Sequence, residues 1–515
     1  MTRLQAMYSL SVLIGLCAAI IAYFLPVFPY TPDSACYIEQ ARSLLDRGVF
    51  ESGLYGTENP SATFVPDPLF PPGYPILIAL FSLLLNAPPE VVALFLSLTA
   101  LALIPACVVF SFRRAVGADD ALIIGLLLVF TPAIIRWGNV ASTDILSVLL
   151  IIFCMGLVLK AGDRLIAWFV AGLLFGFSYL LRNANLAFVL SLCGFITWSI
   201  VFDAENRRKK IVNACVWLLS FSAVVVPWMI RNLIVFGKIQ PYSMPPSSVG
   251  FIENCLAFIE AQLNVLLLLT DLDRFLARNT LGVIGLIIVS GLLVWQVVKT
   301  WKFWQKIDKQ AFIVAGLYCI LGGAIVIVAR TKYQWGELIS ERHALPYLFS
   351  LLIVLALIFK NSTVKINRRW LGMTLASGLL LTRIYNIPQL YQYNFYDANV
   401  VAVAEQIKKH QQTDPLCTNL NGRLGVSNYG FVYRIICAVP VRHVFPILHG
   451  DVFNNEPLNK LIDDVPVEQG VVVSIFPNHD VDIKDLPLNQ KYLNQLSASG
   501  WHVEQNQKKG FILMR

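Results

Sequence analysis

Two acids and three arginines sit at the edges of apolar segments, where a charge is costly unless something answers it. Asp33 follows Thr31-Pro32 and Asp144 follows Ser142-Thr143, so each stands in a helix-start signal and complements the positive end of a helix dipole. Taken singly, either acid is explained by that alone. Arg182 lies in Leu180-Leu181-Arg182-Asn183, Arg231 follows Pro227-Trp228-Met229-Ile230, and Arg342 belongs to Glu341-Arg342-His343. For any one of these, snorkelling of a long side chain to the interface is explanation enough. Together they ask for an anion. A guanidinium can hold two oxygens at once, which suits phosphate, and a phosphate tethered to a membrane lipid would lie at the depth of these residues.

The elements that must position these groups are read from composition and periodicity. With 57% hydrophobic and 14% charged residues and long apolar runs through its first three quarters, the 515-residue chain is expected to be a polytopic α-helical membrane protein. Spans are expected near 7–28, 90–112, 121–140, 145–160, 165–181, 185–202, 211–230, 281–300, 311–329, 345–360 and 370–386, about eleven in all. The first is read as a retained span, not a cleaved leader. The apolar stretch 74–85 is too short to cross comfortably and is treated as a half-membrane or interfacial helix. The stretch 249–269, which carries Glu253, Glu260 and Gln262, is read as a surface-lying or partly buried helix and not a twelfth span.

The net charge of +8 is spread in clusters between apolar segments: Arg113-Arg114, Arg207 to Lys210, Lys302 to Lys309, and Lys360 to Arg369. That pattern fits cytoplasmic loops and excludes nucleic acid as the partner. With 74–85 not crossing, all four clusters fall inside and the N-terminus is cytoplasmic. Asp33, Asp144, Arg182, Arg231, Arg342 and the tail then share the non-cytoplasmic side. Between the first two apolar segments, Thr31 can cap a helix that Gly48 ends, with Tyr37, Ile38, Ala41, Leu44 and Leu45 on one face. Such a helix is expected to lie along the membrane.

From about Asp397, helix-like periods (400–409 and 488–496) alternate with β-rich runs (470–475 and 510–514), which reads as a small α/β domain. Cys417 and Cys437 in this tail are a possible pair. The other cysteines are mostly in apolar segments and read as core residues. No His or Cys spacing points to a structural metal.

In order, Asp33 with Tyr37, Ala41, Leu44 and Gly48-Val49-Phe50, Pro71-Pro72-Gly73-Tyr74-Pro75, Thr143-Asp144, Gly172 to Gly176 with Leu181-Arg182, Pro227 to Asn232 with Phe236-Gly237, and Glu341-Arg342 with Pro346 resemble the C-type glycosyltransferase superfamily. The likeness covers about residues 1–360 and is nearest the protein mannosyltransferase and lipid A aminoarabinose transferase branch. It implies a transmembrane glycosyltransferase domain over 1–392 with a catalytic external loop at 29–73, and a non-cytoplasmic α/β domain over 393–515.

The resemblance further implies an inner-membrane enzyme that uses a polyprenyl-phosphate-linked sugar donor and a lipid, glycan or protein acceptor. Asp33 would be the catalytic base and Asp144 a supporting acid. Arg182, Arg231 and Arg342 would bind the lipid phosphate, and Tyr37, Tyr74 and His343 would line the substrate groove. A single displacement would invert the anomeric centre. Several relatives carry a second acid after the first, where this chain has Ser34, so no metal is assigned and a divalent ion stays an open alternative. Phe70 replaces the lysine that precedes Pro-Pro in the aminoarabinose branch, and His343 replaces a tyrosine. The competing readings are a transporter or flippase of lipid-linked sugars and a non-catalytic membrane scaffold.

Overall fold

The computed structural model describes residues 2–26, 28–52, 65–202, 206–241, 246–333, 339–362 and 368–391, with five strands of the tail. The chain divides into two compact units, Met1–Leu25 with Leu94–Tyr393, and Pro26–Ala93 with Asn394–Arg515.

Helix α1 is Arg3–Tyr23, and the loop after it holds α2 (Pro32–Arg47), the short antiparallel pair β1 (Glu51–Ser52) and β2 (Val65–Pro66), and α3 (Gly73–Leu85). Next come α4 (Pro89–Phe112), α5 (Ala118–Val129), α6 (Pro132–Gly138), α7 (Thr143–Ala161) and α8 (Leu165–Leu181). A 3-10 turn at Asn183–Asn185 leads to α9 (Leu186–Phe202), α10 (Arg207–Phe236), α11 (Phe251–Leu267) and α12 (Thr270–Arg278). The last four are α13 (Thr280–Thr300), α14 (Lys306–Lys332), α15 (Glu341–Lys360) and α16 (Arg368–Leu390).

Every segment expected to span is helical. Among the described residues, α1, α4, α7, α9 together with the 3-10 turn before it, α10, α13, α14 and α15 are long and apolar enough to cross a membrane, and α5 with α6 makes a ninth if taken as one broken span. Apolar α8 has 17 residues, and α16 completes the expected set with an arginine, Arg383, in its interior. Helix α3 is a short 13-residue apolar helix, and α11 at 17 residues falls below a full span. One expectation needs correcting: 121–140 is not one straight span but bends by 66° between α5 and α6. Pro132 is the cause, since it has no amide hydrogen and restricts Thr131 before it to the extended conformation seen there.

Side-chain contacts sort the bundle into two ends. At one, Arg113 donates to the Tyr8 hydroxyl, Lys209 pairs with Asp163, and Lys360 pairs with Asp308 at 3.0 Å. The basic clusters that flank α4, α10, α14 and α15 therefore meet there. At the other end lie the first turns of α7 and α15 and the last turn of α8. Along α7, 19 residues at 1.5 Å each separate the two by about 28 Å, close to the hydrocarbon thickness.

Glycines set the closest helix contact. A Cβ at Gly172 would overlap Ser220 Oγ and the Trp217 carbonyl, and one at Gly176 would press on Val224 and the Phe221 carbonyl, so α8 and α10 meet backbone to backbone. An aromatic seam joins the neighbouring helices: Phe175 stacks on Phe188 at 4.2 Å, Phe188 meets Tyr318 edge-on, and Tyr318 lies 5.0 Å from Tyr347.

In the tail, β3 (Gly425–Ser427), β4 (Val441–His443), β5 (Val472–Ile475), β6 (His502–Asn506) and β7 (Gly510–Met514) form one mixed sheet in the order β4-β3-β5-β7-β6. Two of these strands are the β-rich runs expected from sequence. The parallel pairing of β3 with β4 and β5 requires crossover connections, in keeping with an α/β domain. The helix-like periods at 400–409 and 488–496, and Cys417 and Cys437, lie outside the described residues.

Gly172→Val should force α8 and α10 apart. The expected loss is about 2 kcal/mol of stability, read as a lowered unfolding temperature of the purified protein, whereas Gly285→Ala, at an open position on α13, should be neutral.

Candidate anion-binding site

Asp144 is the centre of the cluster at the end away from the basic loops. Ser142 caps α7, accepting the Asp144 amide and donating its hydroxyl to Asp144 Oδ2 at 3.0 Å. The carboxylate is 1% exposed. Its charge is answered from two sides: Arg182 pairs with Oδ1, and Arg342 Nε donates to Oδ2 at 3.2 Å. A buried carboxylate is tolerated only when paired in this way.

Local sequence explains how each arginine arrives. Arg182 is the residue at which α8 ends, in extended conformation, and the turn after it is fixed by Asn185, which donates to the Ser178 carbonyl at 2.8 Å. Arg342 lies in the first turn of α15, where Ser340 and His343 form a reciprocal cap, the Ser340 amide donating to His343 Nδ1 at 3.1 Å. His343 thus has a structural task. Its other ring nitrogen contacts Arg330 of α14. The Arg342 guanidinium also lies 4.5 Å from the ring of buried Trp137, and Arg136 lies 5.9 Å from the same ring.

Of the residues singled out by sequence, Asp144, Arg182, Arg342 and His343 are brought together. Arg231 lies near the end of α10 opposite Lys209, and its described contacts are with its own helix: Asn232, Trp228 and Phe236. Arg136, Trp137 and Arg330 were missed. The signal that marked Arg182, an arginine at the end of an apolar run, was present for Arg136 and Arg330 as well.

The second unit holds Asp33. It stands in the first turn of α2, capped by Thr31 and ended by Gly48 with φ +73°, as its sequence predicts. One expectation changes: residues 34–41 are all buried, so this part of α2 does not present a single apolar face. Tyr37 and Tyr74 pack edge to face at 5.2 Å, Phe70 packs on Tyr37, and the Tyr74 hydroxyl donates to the Ala93 carbonyl. Both tyrosines are buried in this arrangement.

Asp67 fixes the turn before Pro71-Pro72. It is 4% exposed and accepts the Leu69 amide at 2.7 Å, the Phe70 amide at 3.2 Å and the Ser52 hydroxyl at 2.8 Å. Burial nevertheless pushes its carboxyl above the ordinary range, outweighing those bonds. Among the described residues, no group of three or more His, Cys, Asp or Glu could hold a metal ion.

This arrangement defines a multi-pass membrane protein with the C-type glycosyltransferase fold. Residues 70–230 match a family model described as dolichyl-phosphate-mannose-protein mannosyltransferase. The structure is similar to ArnT from Cupriavidus metallidurans bound to undecaprenyl phosphate, with a TM-score of 0.60 and 11% identity over 99% of this chain and 97% of that one. It is also similar to the oligosaccharyltransferase AglB from Archaeoglobus fulgidus in complex with an inhibitory peptide and a dolichol-phosphate, with a TM-score of 0.56 and 12% identity over 92% of this chain and 69% of that one. No curated protein sequence matches the chain.

Asp144→Ala would leave two largely buried guanidinium groups without the carboxylate between them. We expect a loss of about 3 kcal/mol in thermal unfolding, and Asp144→Asn, which keeps the Ser142 bond, should lose less. Asp67 gives a pH dependence. Its folded pKa lies above the unfolded value, so its contribution is most favourable below the ordinary carboxyl pKa near 4 and is lost as pH rises toward the raised one. Unfolding temperatures of wild type and Asp67→Asn, compared from pH 4 to 7, should diverge in favour of Asn as the pH rises.

Proposed function

We propose that this protein transfers a sugar from a polyprenyl-phosphate donor to an acceptor hydroxyl at the non-cytoplasmic face of a cell membrane. The observation that carries the reading is Asp144 clamped by Arg182 and Arg342 at the bundle end opposite the basic clusters. Guanidinium groups gathered there suit the phosphate of a membrane lipid. The basic clusters suit the cytoplasm by the positive-inside rule, which turns the arginine end and the N-terminal end of α7 outward. The match of residues 70–230 to the mannosyltransferase family and the likeness to structures holding undecaprenyl phosphate and dolichol-phosphate support the same donor class.

In this reading Asp33 accepts the proton of the acceptor hydroxyl as that oxygen attacks the anomeric carbon. The bond from the anomeric carbon to the phosphate oxygen breaks in the same step, inverting the centre. The pair of electrons leaves with the lipid phosphate, whose growing negative charge Arg182, Arg342 and Arg231 stabilise. Asp144 keeps Arg182 and Arg342 in place, and Arg330 and Arg136 add positive charge beside them. A sugar hydroxyl, a lipid or a protein side chain can supply the acceptor oxygen.

The test is to incubate the purified protein with a panel of polyprenyl-phosphate sugars and follow loss of sugar from the donor by mass spectrometry. One donor should be consumed, and Asp33→Asn should slow that consumption by at least about 100-fold while the variant still folds and inserts. Full activity of Asp33→Asn would exclude it as the base. Movement of intact donor across a vesicle with no glycosidic chemistry would replace the enzyme with a flippase.

A further inference from the structure

Arg383 is a cation in the interior of α16, 0% exposed. Its partners are all neutral. Nε donates to the Leu127 carbonyl at 2.8 Å and to Thr131 Oγ1 at 3.1 Å, Nη1 to the carbonyls of Leu266 at 3.2 Å and Leu379 at 2.9 Å, and Nη2 to the Val265 carbonyl at 3.3 Å. Leu127 belongs to the last turn of α5, and Val265 and Leu266 to the last turn of α11. These are the carbonyls that a helix end leaves without an amide partner, and they carry the negative end of the helix dipole. The guanidinium fork therefore caps two helix ends at once.

One of those two ends is the break between α5 and α6. Thr131 is the residue before α6, and its hydroxyl, held by Arg383, donates back to the Leu127 carbonyl at 2.8 Å. At the break the Thr131 amide turns to the Leu128 carbonyl, the one that Pro132 has no amide to serve, and the Leu127 carbonyl is taken by Arg383 and the Thr131 hydroxyl. Helix α6 is only seven residues long and delivers Trp137 to the Arg342 guanidinium. A helix of that length has little stability of its own.

We propose that Arg383 is a positioning residue for the anion-binding cluster: by bonding Leu127 and Thr131 it fixes the α5–α6 break, and through α6 it seats Trp137 against Arg342. The effect on ligand rests on reading that cluster as the lipid-phosphate site, but the hold on α6 does not.

The experiment uses the full-length protein in detergent, with Arg383→Gln, Arg383→Lys, Trp137→Ala and the double variant Arg383→Gln/Trp137→Ala. Backbone hydrogen exchange should rise in residues 131–139 of Arg383→Gln and rise less in Arg383→Lys, which keeps the charge and part of the bonding. Undecaprenyl phosphate should bind about five- to tenfold more weakly to Arg383→Gln, and little further loss should appear when Trp137→Ala is already present. Unchanged exchange in 131–139 would overturn the proposal whatever the binding shows. So would exchange raised evenly across all helices, or losses that simply add in the double variant. If wild type binds no undecaprenyl phosphate, the donor assignment fails, and exchange alone decides whether Arg383 holds α6.

Discussion

A carboxylate taken out of water must be answered by charge, and Asp144 is answered twice. That constraint fixes the end of α8, which delivers Arg182, and the start of α15, which delivers Arg342. It also explains the polar residues nearby: Ser142 satisfies a carboxylate oxygen, Asn185 fixes the turn after Arg182, and Ser340 with His343 holds the start of α15. Two guanidinium groups kept together by one acid repel each other less than they would alone, so they can remain side by side to meet a polyanion. The acid at the centre holds the arginines in place.

The bundle below this cluster is built for close contact. Gly172 and Gly176 let α8 approach α10, and the seam Phe175-Phe188-Tyr318-Tyr347 fills the space between α8, α9, α14 and α15. Packing of this kind resists compression, so the ends of α8 and α15 keep their separation. The broken α5–α6 segment is the exception. Backbone bonds from Thr131 to Leu128 and from Ile134 and Ile135 to Thr131 flank its break, and Arg383 of α16 adds bonds to Leu127 and Thr131.

Much of this was legible in the sequence because membrane helices announce themselves by composition. All eleven apolar segments became helices, and the caps Thr31, Gly48 and Ser142 act locally, so their residues suffice to place them. Arg182 and Arg342 were visible because they interrupt apolar runs at helix ends. Arg383 was not, since its partners outside α16 lie between 117 and 256 residues away and no local pattern marks a carbonyl that will lack an amide. The bend was written in Phe130-Thr131-Pro132, but hydropathy averaged across it. Tyr37 and Tyr74 carried the right chemistry for a sugar-binding wall, whereas burial depends on tertiary contacts that periodicity does not reveal.

The spacing of the Asp144 partners also sets an order of biogenesis. Arg182 follows Asp144 by 38 residues and Arg342 by 198. At ribosomal speeds of about 5–20 residues per second the first partner emerges within about 2–8 s and the second only after about 10–40 s. During that interval α7 and α8 can enter the bilayer as a hairpin whose acid and base already neutralise each other. The later helix then joins a pair whose charges already answer each other.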